Sequence, residues 1–379
     1  MTQSLEKALL PAGLGDGLPP LADFEADMVD RLMASFRSHG YERVKPPLIE
    51  FEESLLAGPG AALAEQTFRV MDPQSQRMMG VRPDITLQVA RIAATRLRNA
   101  PRPLRLSYNG QVLRVRGTQL RPERQFAQAG FELIGDSGVP GDAEVVTLAA
   151  EALAELGVTG LSVDISLPTL VPAMCQALGF SADKAKSLRL ALDRKDAAAV
   201  AQAAGAHADL FAGLLAAGGP ADRALERLDA LALPPRLRPM VAEARGLLER
   251  VRAAMPDLAL TVDPSEFRGF EYQTGLSFTV FARGVRGELG RGGRYALEDG
   301  EAATGFTVYL DSVLRALPAP DRVPALYVPY GTDLGLLRQF RRDGWRTVAG
   351  LAPVADDGAE ALRLGCTHVV AGGDVRDLR

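Results

Sequence analysis

Residues 268–275 read Arg-Gly-Phe-Glu-Tyr-Gln-Thr-Gly, and they run straight into the strand-like Leu276-Ser277-Phe278-Thr279-Val280-Phe281. The octet holds a cation, two glycines, a carboxylate, a phenol and an amide. So much polar chemistry leading into a strand reads as the wall of a pocket rather than as core. The fold that this stretch belongs to depends on what surrounds it.

Upstream, residues 11–20 are rich in Gly and Pro and form a leading loop. Phe24, Met28, Leu32 and Phe36 then recur at four-residue steps, widened by Val29 and Met33, which predicts an amphipathic helix ended by Gly40. Tyr41–Val44 reads as extended, and Pro46-Pro47 confines it to a sheet edge. Residues 101–135 alternate as strands. Asp142 is placed to cap a helix through Leu156, and Leu161–Leu167 alternates as a half-buried strand. From about 169 to 255 the chain is Ala/Leu/Arg-rich with helical spacing, a helical insertion between two parts of a sheet. Strands resume at 258–263 and 276–281, and Thr304–Leu317 reads as strand then helix. Pro318–Pro324 is a linker. Beyond it, strand-like Ala325–Val328 and Thr347–Ala349 alternate with helical 333–342 and 356–364, a small α/β unit. The domains expected are 1–318 and 319–379.

The 379 residues are 47% hydrophobic and 24% charged with net charge −4, an ordinary globular composition without a bulk nucleic-acid footprint. The two cysteines, Cys175 and Cys366, have no metal spacing and suit a reducing compartment. Met1–Leu10 lacks the apolar core of a signal peptide, and no uninterrupted apolar run reaches about 18 residues. A cytoplasmic protein without membrane, metal or cofactor is expected.

Five motifs, in order, resemble those of histidyl-tRNA synthetases, which are class II aminoacyl-tRNA synthetases. They are Val81-Arg-Pro-Asp-Ile-Thr86, Tyr108-Asn-Gly-Gln-Val-Leu-Arg114, Arg124-Gln-Phe-Ala-Gln-Ala-Gly-Phe-Glu132, the opening octet, and Gly292-Gly-Arg-Tyr295. The resemblance implies an α+β fold: an antiparallel sheet flanked by helices, carrying the insertion and the C-terminal α/β unit. It also implies dimerisation through the segment around the first helix. A histidine pocket would then be formed by Asp84, Thr86, Tyr108, Arg114, Gln128, Glu132, Arg268, Tyr272 and Gln273. A buried zwitterion needs a carboxylate for its ammonium and a cation for its carboxylate. Glu132 or Asp84 can supply the first and Arg268 the second, while Tyr108, Tyr272 and Gln128 bracket an imidazole.

The departures from the synthetase pattern concern ATP and tRNA. In Gly305-Phe-Thr-Val-Tyr-Leu-Asp-Ser312, Tyr309 stands where those enzymes keep a glycine beside adenine, and Ser312 where an arginine meets the γ-phosphate. Arg116 replaces a glutamate that reads the adenine edge. Gln273 replaces a tyrosine. Residues 319–379 carry eight arginines against eight acids, so the basic surplus that nucleic-acid binding requires is missing there. The cluster Arg102, Arg105, Arg114, Arg116, Arg121 and Arg124 is the one basic stretch. It is read as a solvated hairpin, with an anion or partner site as the alternative.

A histidyl-type fold that keeps its amino-acid half and loses its ATP half is similar to the regulatory subunits of ATP phosphoribosyltransferase. Residues 82–91 and 117–126 carry that likeness most closely. It implies a non-catalytic protein that binds a short-form ATP phosphoribosyltransferase catalytic subunit and reports histidine to it. It would act as a homodimer within a hetero-oligomer, without tRNA. Alternatives are a catalytically active class II enzyme that adenylates an amino acid, or a stand-alone histidine sensor.

Overall fold

The computed structural model describes residues 9–117, 121–266, 273–320 and 323–378. The chain divides into two compact units, Met1–Pro318 and Ala319–Arg379.

In the large unit the strands are β1 (Glu42–Arg43), β2 (Ile49–Phe51), β3 (Phe68–Met71), β4 (Met78–Val81), β5 (Leu104–Leu113) and β6 (Gln125–Ile134). They continue as β7 (Leu161–Ser166), β8 (Gly219–Pro220), β9 (Ala259–Asp263), β10 (Gln273–Ala282), β11 (Gly290–Ala296) and β12 (Ala302–Tyr309). Nine of them form one sheet in the order β1-β5-β6-β12-β11-β10-β7-β9-β8, antiparallel from β5 through to β7. Pairing is parallel where β1 joins β5 and where β7 joins β9. A separate three-stranded sheet, β2-β4-β3, lies before the helix Thr86–Thr95.

The two-residue period of a strand sends neighbouring side chains to opposite faces, and β6 shows what each face is for. Ala127, Ala129, Phe131 and Leu133 enter the main core with Met28, Leu32, Met33 and Phe36 of the helix Leu21–Ser38. The Phe131 ring packs 4.8 Å from Phe36 and 5.0 Å from Tyr41. Each such ring or leucine removed from water contributes about 1.5–3 kcal/mol. The alternate residues Phe126, Gln128, Glu132 and Ile134 face the other way, where Val89 and Ala93 cover a second core. One face of the sheet is therefore stabilising bulk, and its reverse is free to hold polar chemistry.

The helical segment is nearly as expected: six α-helices between Leu170 and Ala254, broken only by short 3-10 turns and the two-residue β8. Its apolar stretch Ala197–Ala216 is long enough by composition to cross a membrane. The stretch breaks at Gly205 (φ 60°), and its Val200, Ala204, Phe211 and Leu214 are in the core.

One expectation needs correction. The helix starts at Val139, not beyond Asp142, and Gly138 occupies the cap. Asp142 lies in the first turn and turns its carboxylate sideways, to Arg294 and to the Thr304 hydroxyl (2.7 Å). A buried guanidinium is a stronger partner for a carboxylate than a backbone N–H.

In the small unit β13 (Ala325–Val328), β14 (Arg346–Ala349), β15 (His368–Ala371) and β16 (Asp374–Asp377) order as β14-β13-β15-β16, with only β16 antiparallel. Asp333 and Asp356 cap its two helices through backbone N–H bonds of 2.8–3.1 Å.

Candidate functional site

Register builds the site. Across β5, β6 and β12, Tyr108 pairs with Gly130, which pairs with Thr307, while Glu132 pairs with Gly305 and Gln128 with Tyr309. A β-carbon on Gly130 would overlap the Tyr108 hydroxyl, and one on Gly305 would overlap Glu132 Oε2. Those two glycines let the neighbouring side chains lie flat across the strands.

Glu132 is fully buried. The Tyr108 hydroxyl donates to its Oε1 at 3.2 Å and the Tyr295 hydroxyl to its Oε2 at 3.0 Å. The Tyr108 oxygen is also 2.8 Å from Thr307 Oγ1 and 3.0 Å from Thr86 Oγ1. Burial, reinforced by the nearby Asp84 charge, outweighs these hydroxyl bonds and pushes the Glu132 carboxyl up to about 8.

Asp84 has a different environment. It accepts from the Thr86 N–H (2.9 Å) and from Gln128 Nε2 (3.0 Å), and Arg114 Nη2 stands 3.6 Å away. Gln128 completes the clamp by accepting from the Ile85 N–H at 3.2 Å. Asp84, Thr86, Glu132 and Gln273 line one cavity, together with Tyr295 and Thr307. Tyr108, Gln128 and Arg114 support that wall from behind. Arg268 and Tyr272 lie outside the described residues.

Tyr295 and Thr307 are the site residues that sequence reasoning missed. The Gly292–Tyr295 motif was visible, but only the pairing of β11 with β12 brings its tyrosine to Glu132. Behind that strand Arg294 joins Asp142 and, at 3.2 Å, Glu243 of the helix Arg238–Ala254. Burial of Arg294 and Asp142 makes this pair a fixed point of the β11 backbone.

Tyr309, which also lines this cavity, is buried. The Arg121 guanidinium sits 3.8 Å over its ring, and Phe126 meets it edge-on at 6.2 Å. Arg121 also donates to Asp311 (3.1 Å) and Ser312 (3.5 Å), and Glu288 pairs with both Arg121 (3.8 Å) and Arg291 (3.5 Å). The other arginines of the basic stretch are similarly engaged. Arg102 pairs with Glu301, Arg105 grips Glu144 by two 2.7 Å bonds, and Arg124 donates to the Ala12 carbonyl at 3.1 Å. Arg116 is exposed. This is a hairpin whose charges are mostly answered within the protein.

Comparison with known proteins agrees with this geometry. Residues 13–313 match the histidyl-tRNA synthetase family. The ATP phosphoribosyltransferase regulatory subunit of Rhodospirillum centenum is 59% identical, over 98% of this chain and 97% of its own. The protein of the same name from Gluconobacter oxydans is 47% identical over 98% and 97%. Among solved structures, an ATP phosphoribosyltransferase regulatory subunit/histidyl-tRNA synthetase from Bacillus halodurans superposes with TM-score 0.83 at 25% identity, covering 96% of this chain and 97% of that one. The histidyl-tRNA synthetase of Nostoc, 18% identical with TM-score 0.80 over 96% and 91%, shares the fold. A class II sheet with this pocket, matched nearly end to end at such identity, makes the chain a member of the ATP phosphoribosyltransferase regulatory subunit family.

Proposed function

We propose that this chain is a non-catalytic regulatory subunit of ATP phosphoribosyltransferase, which binds histidine in the Asp84–Glu132 pocket and transmits its occupancy to a short-form catalytic subunit. The enzyme so controlled would catalyse the first step of histidine biosynthesis, in the cytoplasm. The observation that carries this reading is the asymmetry around β12. Asp84, Thr86, Glu132 and Gln273 line a polar pocket suited to an amino acid, while Tyr309, on the wall of the same cavity, occupies the volume beside Arg114 and Arg121. Asp84 would take the ligand's ammonium and Arg268 its carboxylate, while Glu132, Tyr272 and Gln273 would face the imidazole, with Tyr108 holding Glu132 from behind.

Several features favour regulation over adenylate chemistry. The arginines around Tyr309 have Asp84, Asp311 and Glu288 as counter-charges, so a triphosphate would have to displace protein carboxylates. Ser312 offers a hydroxyl where triphosphate needs a fixed cation. Feedback is then a coupling between two sites. Histidine that favours a less active complex is itself bound more tightly by that complex. The subunit would work as a homodimer inside the hetero-oligomer, without tRNA or cofactor.

The test is to assay a short-form catalytic subunit alone, with this chain, and with this chain plus histidine. Activation by the chain and inhibition by histidine are expected. Histidine-dependent ATP–pyrophosphate exchange by the isolated chain would overturn the reading.

A further inference from the structure

Two carboxyls face the cavity with different sets of partners. Asp84 has an N–H donor, an amide donor and a guanidinium around it. Glu132 has hydroxyls. Tyr108 of β5 and Tyr295 of β11 donate to it, Thr86 at the start of the helix Thr86–Thr95 bonds it as well, and Thr307 of β12 bonds the Tyr108 hydroxyl. Among the described residues, the charged groups of the same cavity do not compensate Glu132. Arg114 belongs to Asp84, Arg291 pairs with Glu288, and the Asp84 charge opposes a second anion. Among the described residues no lysine or arginine pairs with Glu132.

We infer that Glu132 recognises its ligand as a carboxylic acid, selecting an uncharged aromatic nitrogen acceptor, while the permanently charged ammonium is taken by Asp84. The inference rests on the histidine reading of the pocket and adds which form of the side chain is bound. The proton count is simple. The empty site brings one proton on Glu132, and a neutral imidazole brings an unprotonated ring nitrogen. The complex holds that one proton between oxygen and nitrogen, so nothing is released near neutral pH. Two carboxyls in one pocket are thereby given different tasks by their environments.

Affinity should then pass through a maximum. Below about 6.5, the ordinary imidazole range, the ligand must shed a proton to bind. Near pH 8, where the buried Glu132 carboxyl ionises, the site must regain one. On either limb affinity falls by about tenfold per pH unit.

The experiment is isothermal titration of the full chain with L-histidine from pH 5.5 to 9, in paired buffers of different ionisation enthalpy. Buffer-independent heats near pH 7 and a bell-shaped affinity profile are expected. The ligand's ammonium also titrates at alkaline pH, so Glu132→Gln provides the reference. Its amide still donates to the ring nitrogen, and it should keep the acid limb while losing the fall that begins near pH 8. A wild-type affinity flat above pH 7, release of about one proton per site at neutral pH, or identical alkaline limbs in both proteins would each overturn the inference. The wild-type proton count decides the matter even if the variant does not fold. Absence of histidine binding at every pH would sink the ligand reading and this inference with it, whereas binding with a flat profile would sink only the latter.

Discussion

Gly305 pairs with Glu132 across β6 and β12, and the Glu132 carboxyl occupies the space where a β-carbon of residue 305 would stand. Gly305→Ala should therefore evict the carboxyl from between Tyr108 and Tyr295. Overpacking a buried site of this kind costs roughly 1–3 kcal/mol. Urea denaturation should show that loss, and titration should show histidine binding abolished. A variant with wild-type affinity would mean that the pocket lies elsewhere.

The raised Glu132 carboxyl makes stability depend on pH with a definite sign. The folded protein holds this proton more tightly than the unfolded chain does. The contribution is full below the ordinary glutamate range and is lost as pH rises toward about 8. Asp164, raised by burial to about 6, acts in the same direction over a lower window. Stability should thus fall between pH 5 and 8, by up to about 1.4 kcal/mol per pH unit for each proton involved. Glu132→Gln should remove the upper part of that slope, above pH 6, in denaturation series at matched ionic strength.

Asp142 and Arg294 form a buried pair, and removing Asp142 leaves the Arg294 charge with only the more exposed Glu243, at 3.2 Å, as a carboxylate partner. Asp142→Ala should cost roughly 3–5 kcal/mol, far more than truncating an exposed pair such as Arg245–Asp229, where about 0–1 kcal/mol is expected. Thermal denaturation of the two variants side by side checks the contrast. Because Arg294 precedes Tyr295 on β11, the Asp142 variant should also lose histidine affinity.

Tyr309→Ala should leave a cavity under Arg121 and cost roughly 3–5 kcal/mol. It should not create adenylation activity, because emptying the space supplies no cation at Ser312 and does not free Arg121 from Asp311. Pyrophosphate exchange measured on the purified variant checks this, and measurable turnover would show that Tyr309 alone blocks the nucleotide.

Local pattern made much of this molecule legible. Four-residue spacing announced the helix Leu21–Ser38, and alternation announced β5, β6 and β7. β11 was harder: Gly290-Arg-Gly-Gly-Arg gives no strand signal, because glycine lacks a side chain to pack. It is a strand here because β10 and β12 hydrogen-bond it from both sides. The same reliance on neighbours explains Asp142, whose position suggested a cap until the fold placed Arg294 beside it.

The sequence by itself determined the fold family and the chemical inventory of the site: Asp84, Thr86, Tyr108, Gln128 and Glu132 all stand in motifs that are legible in order along the chain. It also showed that Tyr309 and Ser312 break the nucleotide pattern. Only the tertiary structure decided what state those groups are in. It chose Tyr295 and Thr307 as partners, gave Asp84 its guanidinium, and left Glu132 among hydroxyls. Residue type fixes which protons a side chain can carry, but burial and the charges brought near by non-local strand pairing decide whether it keeps them.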